Sequence, residues 1–151
     1  MANIQNVIGA RTLLTATAHN SLANGTYVSA GVITTGAVQE CSVDVMATPA
    51  TVSGTYPRLY VFCRVSSDGV NYSSGPVSGT TTTAEENLYR LGSLPLKISA
   101  GVQSKRFDVK ALLGLSYVPA FVEIVLKNET GSTLAASGNS VYYNLITTVI
   151  V

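Results

Sequence analysis

A two-residue alternation of apolar and polar side chains in three segments constrains the fold of this chain most strongly. In residues 58–66, one face carries the apolar side chains Leu59, Val61, Cys63 and Val65. A period of two places successive side chains on opposite faces of a β-strand, whereas a helix requires a period near 3.6. Residues 40–47 and 120–127 alternate in the same way. We therefore expect three half-buried strands.

Turn-forming pairs separate the predicted strands. Asn24-Gly25 and Asp68-Gly69 favour tight turns, because these residue types tolerate positive φ. The second pair predicts a hairpin with residues 70–72. About eight short strands with turns at this spacing predict an all-β sandwich or barrel.

The remaining segments add little regular structure. Residues 73–83 (SSGPVSGTTTT) predict a long mobile loop. Residues 108–113 (DVKALL) predict the only short helix, with Asp108 as its N-cap and Gly114 as its stop.

The chain of 151 residues is the size of one ordinary domain. No linker or repeat divides it, so we expect an N-terminal arm at residues 1–10 and a single β-sandwich domain at 11–151. The first ten residues lack the pattern of a signal peptide, which predicts synthesis in a cytoplasm. No apolar run is long enough to span a membrane.

Charged residues are scarce. They make up 11% of the chain, against about 25% in typical globular domains. Residues 12–39 and 130–151 contain no Asp, Glu, Lys or Arg, and the net charge of +1 does not favour nucleic acid as a partner. A surface so poor in charge fits a protein that is covered by partners. The alternative is a monomer whose surface is solvated by hydroxyl groups.

The predicted last strand, residues 139–151, is apolar on both faces near its end. One face carries Leu145, Val149 and Val151, and the other carries Ile146 and Ile150. Such a strand either lies in the buried middle of the sandwich or forms part of a subunit interface. Both interpretations are open at this point, and the second makes the chain ends an assembly surface.

Catalytic and metal-binding patterns are absent from the sequence. His19 is the only histidine, and no nucleophile elbow, phosphate-binding loop or zinc-protease motif occurs. Cys41 and Cys63 fall on predicted inward faces, where they act as small buried hydrophobes rather than as metal ligands beside His19. We therefore expect a protein that is not an enzyme and that needs no cofactor.

The outward face of the strand at 58–66 has the composition of a binding surface. It carries Arg58, Tyr60, Phe62 and Arg64, and Tyr, Phe and Arg are enriched in protein interfaces. Two alternatives remain: a second core covered by a loop, or a platform on which sugars stack. Tyr142 and Tyr143 are adjacent, so one of the two points to each face of its strand.

The order of motifs in the second half of the chain resembles a group of small structural proteins from tailed-phage virions. The segments are RLYVFCRVSSDGVNY, RLGSLPLKI, KRFDVKALLGL and YVPAFVEIVLKNETGSTLAASGNSVYYNLI, and NSLANGTYVSA upstream is similar to the opening of the same group. The likeness covers about residues 10–150. It implies a jelly-roll-like antiparallel sandwich that coats or joins parts of a virion.

The resemblance implies a capsid cement or decoration protein on the capsid surface, bound between coat subunits. Its expected partners are the major capsid protein or other virion proteins, together with further copies of itself in a dimer or trimer. The alternatives are a tail, collar or fibre component that contacts host glycans, and a secreted adhesion module, which the missing signal peptide disfavours. The expected partner interface comprises Arg58, Tyr60, Phe62, Arg64, Tyr142, Tyr143, Ile146 and Ile150.

Overall fold

The computed structural model describes residues 3–36, 38–53, 55–97 and 101–150. Within them the chain forms ten strands, one α-helix and one 3-10 turn at Glu85–Asn87. The strands are β1 Ile4–Ile8, β2 Thr12–Thr15, β3 Tyr27–Thr34, β4 Glu40–Ala47, β5 Arg58–Ser66, β6 Ser78–Gly79, β7 Tyr89–Pro95, β8 Gln103–Asp108, β9 Phe121–Glu129 and β10 Ser140–Ile150. The helix α1 spans Val109–Leu113.

The strands form two antiparallel sheets. In the first sheet the order is β1–β10–β4–β8, and β2 also pairs with β10. In the second sheet the order is β6–β3–β9–β5–β7. When β1 and β6 are left out, the two sheets have the orders β2–β10–β4–β8 and β3–β9–β5–β7. This is the strand order of a jelly roll. The predicted all-β, jelly-roll-like sandwich is therefore confirmed.

The core lies between the two sheets and uses the predicted alternation. The inward residues of β4 and β5 are fully buried: Cys41, Val43, Val45, Ala47, Leu59, Val61 and Cys63. Strand β9 lies at the centre of the second sheet between β3 and β5, and it is buried on both of its faces. Its inward residues Val122, Ile124 and Leu126 complete the same core.

A second, smaller apolar cluster lies on the outer face of the second sheet. It consists of Tyr27, Phe62, Leu88 and Val125. Leu88 directly follows the 3-10 turn, so the segment between β6 and β7 folds back over the sheet. Phe62 is only 5% exposed. Phe62, one member of the predicted partner interface, therefore packs in a second core covered by this segment, and its role in a partner interface stays a prediction.

The short helix ends as predicted but begins differently. Gly114 adopts a left-handed φ of 63° and terminates α1. Asp108 makes no side-chain cap and instead accepts a hydrogen bond from Ser42 at 2.6 Å. The carboxylate of Glu40 accepts hydrogen bonds from the backbone N–H groups of Lys110 and Ala111, at 2.7 and 3.1 Å. Asp108 therefore occupies the predicted N-cap position, but the capping hydrogen bonds are made by Glu40 of β4 and not by the Asp108 side chain.

The chain turns back after β5, where the Ser73 N–H donates to the Val65 carbonyl oxygen at 3.2 Å, but residues 70–72 do not form the second strand of the predicted hairpin. The Asp68 carboxylate accepts hydrogen bonds from the N–H groups of Val70 and Asn71, which closes a local turn. These bonds hold the pKa of Asp68 well below its usual range. Strand β5 pairs instead with β7 and β9, and the predicted loop at 73–83 contributes β6, which pairs with β3.

Both cysteines are buried in the core and neither forms a disulfide. Burial raises the pKa of Cys41 to about 12, and burial together with the nearby Cys41 raises the pKa of Cys63 to about 12. Both thiols therefore stay protonated and unreactive in the folded chain.

No helix in the described ranges has the length and apolarity to cross a membrane.

Candidate interaction surfaces

Strand β1 and the last part of β10 form an exposed, uncharged ribbon. Strand β1, which lies within the predicted N-terminal arm, pairs with the last part of β10 in the register Ile4↔Ile150 to Ile8↔Ile146. Strand β4 pairs with β10 only as far as Ile146, so the end of β10 extends past it. The first half of β10 therefore lies in the buried middle of the sandwich, which was one of the two interpretations of this strand. The end of β10 does not.

One face of this ribbon carries four isoleucines. Directly paired residues in a sheet share a face, so Ile4/Ile150 and Ile8/Ile146 lie on one face, which we call the isoleucine face. The Asn6–Thr148 pair lies between them, and Thr148 donates a hydrogen bond to Asn6 at 3.1 Å. Ile4, Ile8 and Ile150 are 74%, 66% and 75% exposed. Neither strand of the ribbon contains a charged residue. Exposed apolar side chains grouped in this way make the face a candidate interaction site.

A charged and aromatic cluster continues the same outer face. Tyr142 pairs with Asp44, and the Arg11 guanidinium lies 3.8 Å from the centroid of its ring. Asp44 forms ion pairs with Arg106 at 2.8 Å and with Arg11 at 3.4 Å. The hydrogen bond from Arg106, followed by the charges of both arginines, lowers the pKa of this carboxyl. Tyr143 points the opposite way and packs at the edge of the core.

The outer face of the second sheet carries a concavity. It has a volume of about 440 Å³ and is lined by Tyr56, Arg58, Tyr60, Phe62, Glu85, Arg90, Lys127 and Glu129. We call it the arginine–tyrosine concavity. Arg90 and Arg58 lie 4.4 and 5.7 Å from the centroid of the Tyr60 ring. Lys127 bridges the carboxylates of Glu85 and Glu129, at 2.8 and 3.1 Å.

Arg64 lies outside this concavity and has a structural partner. Its Nε donates to Glu123 at 2.5 Å, and Ser29 donates to the same carboxylate at 2.6 Å. Glu123, on the outer face of β9, is only 6% exposed. A buried carboxylate requires such compensation, so Arg64 stabilises the fold between β5, β9 and β3.

The predicted interface residues therefore fall on two separate surfaces. Tyr142, Ile146 and Ile150 lie outward on the first sheet, and Arg58 and Tyr60 lie on the second. Sequence reasoning missed the residues that complete each surface: Ile4, Ile8, Arg11, Tyr56, Glu85, Arg90, Lys127 and Glu129. Arg90 joins Arg58 only through the pairing of β7 with β5. The alternation of residues within one segment does not indicate which strands become its neighbours in a sheet.

His19 is fully buried and is not arranged as a ligand. Its Nε2–H donates to the carbonyl oxygen of Met46 at 2.9 Å, and Nδ1 has no hydrogen-bond partner. Burial lowers the pKa of His19, and the weaker opposing effect comes from the hydrogen bond to Met46. In the part of the chain that the structure describes, no three His, Cys, Asp or Glu side chains are grouped to hold a metal ion.

The lowered pKa of His19 predicts acid sensitivity. Because the unfolded chain protonates near the ordinary value of about 6.5, stability is fully present above that pH. It should fall as the pH drops toward the lower folded pKa, by at most about 1.4 kcal/mol per pH unit. The free energy of unfolding in urea, measured across this range, checks the slope. His19→Gln retains a hydrogen-bond donor for the Met46 carbonyl oxygen, but it should lose this dependence of stability on pH. An identical slope in the variant would refute this role for His19.

Comparison with known proteins identifies neither a protein family nor a curated protein that matches the chain. The solved structures with weak similarity include a polyphenol oxidase and a phage capsid. Latent aurone synthase, a polyphenol oxidase from a natural source, is 14% identical, with a TM-score of 0.41. The match covers 90% of this chain and 25% of that protein, so this chain spans about a quarter of its length. The capsid of Ralstonia phage GP4 is 16% identical, with a TM-score of 0.37 and coverage of 97% and 83%. A phage capsid is thus among the weak structural neighbours of this chain.

Proposed function

We propose that this protein is a structural component of a tailed-phage virion and acts as a capsid cement or decoration protein. The isoleucine face is the observation that carries the proposal. It carries two pairs of isoleucines, with three of the four side chains exposed, on either side of one polar pair, has no charge, and lies at the end of a jelly-roll sheet. The motif resemblance described above points to the same class of protein. The proposed partners are the major capsid protein and further copies of this chain, in a dimer or trimer.

The mechanism is adhesion without chemistry. Fully burying an isoleucine side chain stabilises a complex by roughly 1.5–3 kcal/mol. The three exposed isoleucines, Ile4, Ile8 and Ile150, therefore contribute at most roughly 4.5–9 kcal/mol before the costs of association, which are of similar size. One contact alone is weak. Contacts made by linked copies across neighbouring coat subunits gain from a high effective concentration and would stiffen the shell.

Copy number tests the proposal. The chain is quantified by mass spectrometry against the major coat protein, in particles purified from cells that express the complete phage genome. A copy number near that of the coat protein supports cement or decoration. A few copies per particle would assign the protein to the tail, collar or fibres instead. Absence from particles would refute a virion role.

The double variant Ile4→Ser/Ile150→Ser tests the docking surface. Both side chains are largely exposed, so the isolated domain should unfold at the parental temperature. Copies per particle should fall about tenfold or more, because about 1.4 kcal/mol of lost binding energy is enough for that change. Val70→Ser is the matched control, since Val70 is 80% exposed in the loop after β5. An unchanged copy number in the double variant would exclude the isoleucine face.

A further inference from the structure

We propose that the arginine–tyrosine concavity binds a carboxylate-bearing sugar of an acidic glycan. This site lies on the outer face of the second sheet, whereas the isoleucine face lies on the first sheet. Both surfaces can therefore be occupied at once. The proposal stands on the geometry of the concavity and does not depend on the virion role.

Two arginines supply the anion-binding groups. Arg58 and Arg90 both lie near the Tyr60 ring, which holds their guanidinium planes in position by cation–π contact. Arg58 Nε donates to the Tyr56 carbonyl oxygen. Among the described residues, neither arginine forms an ion pair. Their remaining N–H groups match the two oxygens of a carboxylate, which a guanidinium binds in bidentate geometry.

The charges of the two glutamates in the concavity are partly neutralised by Lys127. Glu85 and Glu129 each bind Lys127 through one oxygen, at 2.8 and 3.1 Å. Burial alone would lower the pKa of Lys127, but the two carboxylates outweigh burial and raise it, so the lysine stays charged. The other oxygen of each glutamate remains an acceptor. Counting Arg58, Arg90 and Lys127 against the two glutamates leaves a net charge of +1 in the lining.

This mixture of groups favours a sugar over an acidic peptide. Two carboxylates beside the arginines repel a run of aspartates or glutamates. A sugar with one carboxylate and several hydroxyls can instead donate hydrogen bonds to those glutamate oxygens while its own carboxylate meets the arginines. The Tyr56 ring, largely exposed at the rim, offers an apolar face for stacking. The volume of about 440 Å³ falls within the range of small-ligand sites.

Titration calorimetry with the full chain tests the proposal. The probes are trigalacturonate and sialyllactose, with trigalacturonate methyl ester as the matched ligand that lacks charge. Binding of at least one acidic sugar, and at least tenfold weaker binding of the ester, is expected. Arg58→Ala and Arg90→Ala should each weaken binding about tenfold or more, and Arg90→Lys should restore little because lysine lacks the planar fork. Arg106→Ala, on the other sheet, is the matched control and should bind normally.

Several results would overturn the proposal. These are no binding of either acidic sugar, equal binding of the ester, or unchanged binding by both arginine-to-alanine variants. Hexaglutamate that binds as tightly as the sugars would reassign the concavity to an acidic protein segment. Thermal unfolding of each variant separates loss of the site from loss of the fold. The experiment contains no virus particles, so its outcome is independent of copy number in the virion.

Discussion

Val61→Asp is expected to abolish cooperative folding. Val61 is fully buried in β5, where it pairs with Leu126 of β9 and Gly92 of β7 in the middle of the second sheet. A carboxylate placed there has no basic partner among the core residues, and burial of an unpaired charge costs several kcal/mol or more. The total stability of a domain is only about 5–15 kcal/mol. Circular dichroism with thermal unfolding should show a disordered or molten chain.

Val70→Asp is the matched control for this variant. It introduces the same chemical change at a valine that is exposed in the loop after β5. Its stability should lie within about 0.5 kcal/mol of the parent. If Val61→Asp retained a cooperative transition near the parental temperature, the inward register of β5 would be wrong.

Arg64→Ala is expected to destabilise the domain by about 3 kcal/mol. Removing the guanidinium leaves Glu123 buried with only Ser29 as a hydrogen-bond donor. Breaking a buried pair from one side typically costs about 3–5 kcal/mol, because the remaining charge is uncompensated. The lower end applies here, since the Arg64 side chain is 23% exposed. Urea unfolding measures the free-energy difference.

Two further variants distinguish the free-energy cost of a buried, unpaired charge from the cost of lost side-chain contacts. Arg64→Leu/Glu123→Leu removes both charges and should recover much of the stability, since apolar replacement of a buried pair is often neutral. Arg106→Ala breaks the exposed pair with Asp44 and should cost about 0.2–1 kcal/mol. Equal losses for Arg64→Ala and Arg106→Ala would show that Glu123 is solvated in solution.

The sequence alone determined the strands β4, β5 and β9 and their inward faces. The alternation in β4, β5 and β9 is a local property, because side chains in a strand point to opposite faces with a period of two. It identified the buried apolar residues of β4 and most of the buried residues of β5. The turn at Gly25 and the stop at Gly114 were also predictable, because both positions adopt positive φ.

Only the tertiary structure decided what covers each outer face. Phe62 and Arg58 both alternate outward on β5, yet the segment carrying Leu88 buries Phe62 and leaves Arg58 beside a concavity. Glu40 caps a helix that begins about 70 residues later, a relation that no local pattern reveals.

The binding surfaces depend on the same long-range pairing. Strand β1 brings Ile4 and Ile8 beside Ile146 and Ile150, and β7 brings Arg90 to Tyr60. Periodicity specifies which face of a strand points inward, but it contains no information on which distant strand lies beside it. Neighbours are selected by the burial of the whole chain, so the candidate sites appear only when the sheets are assembled.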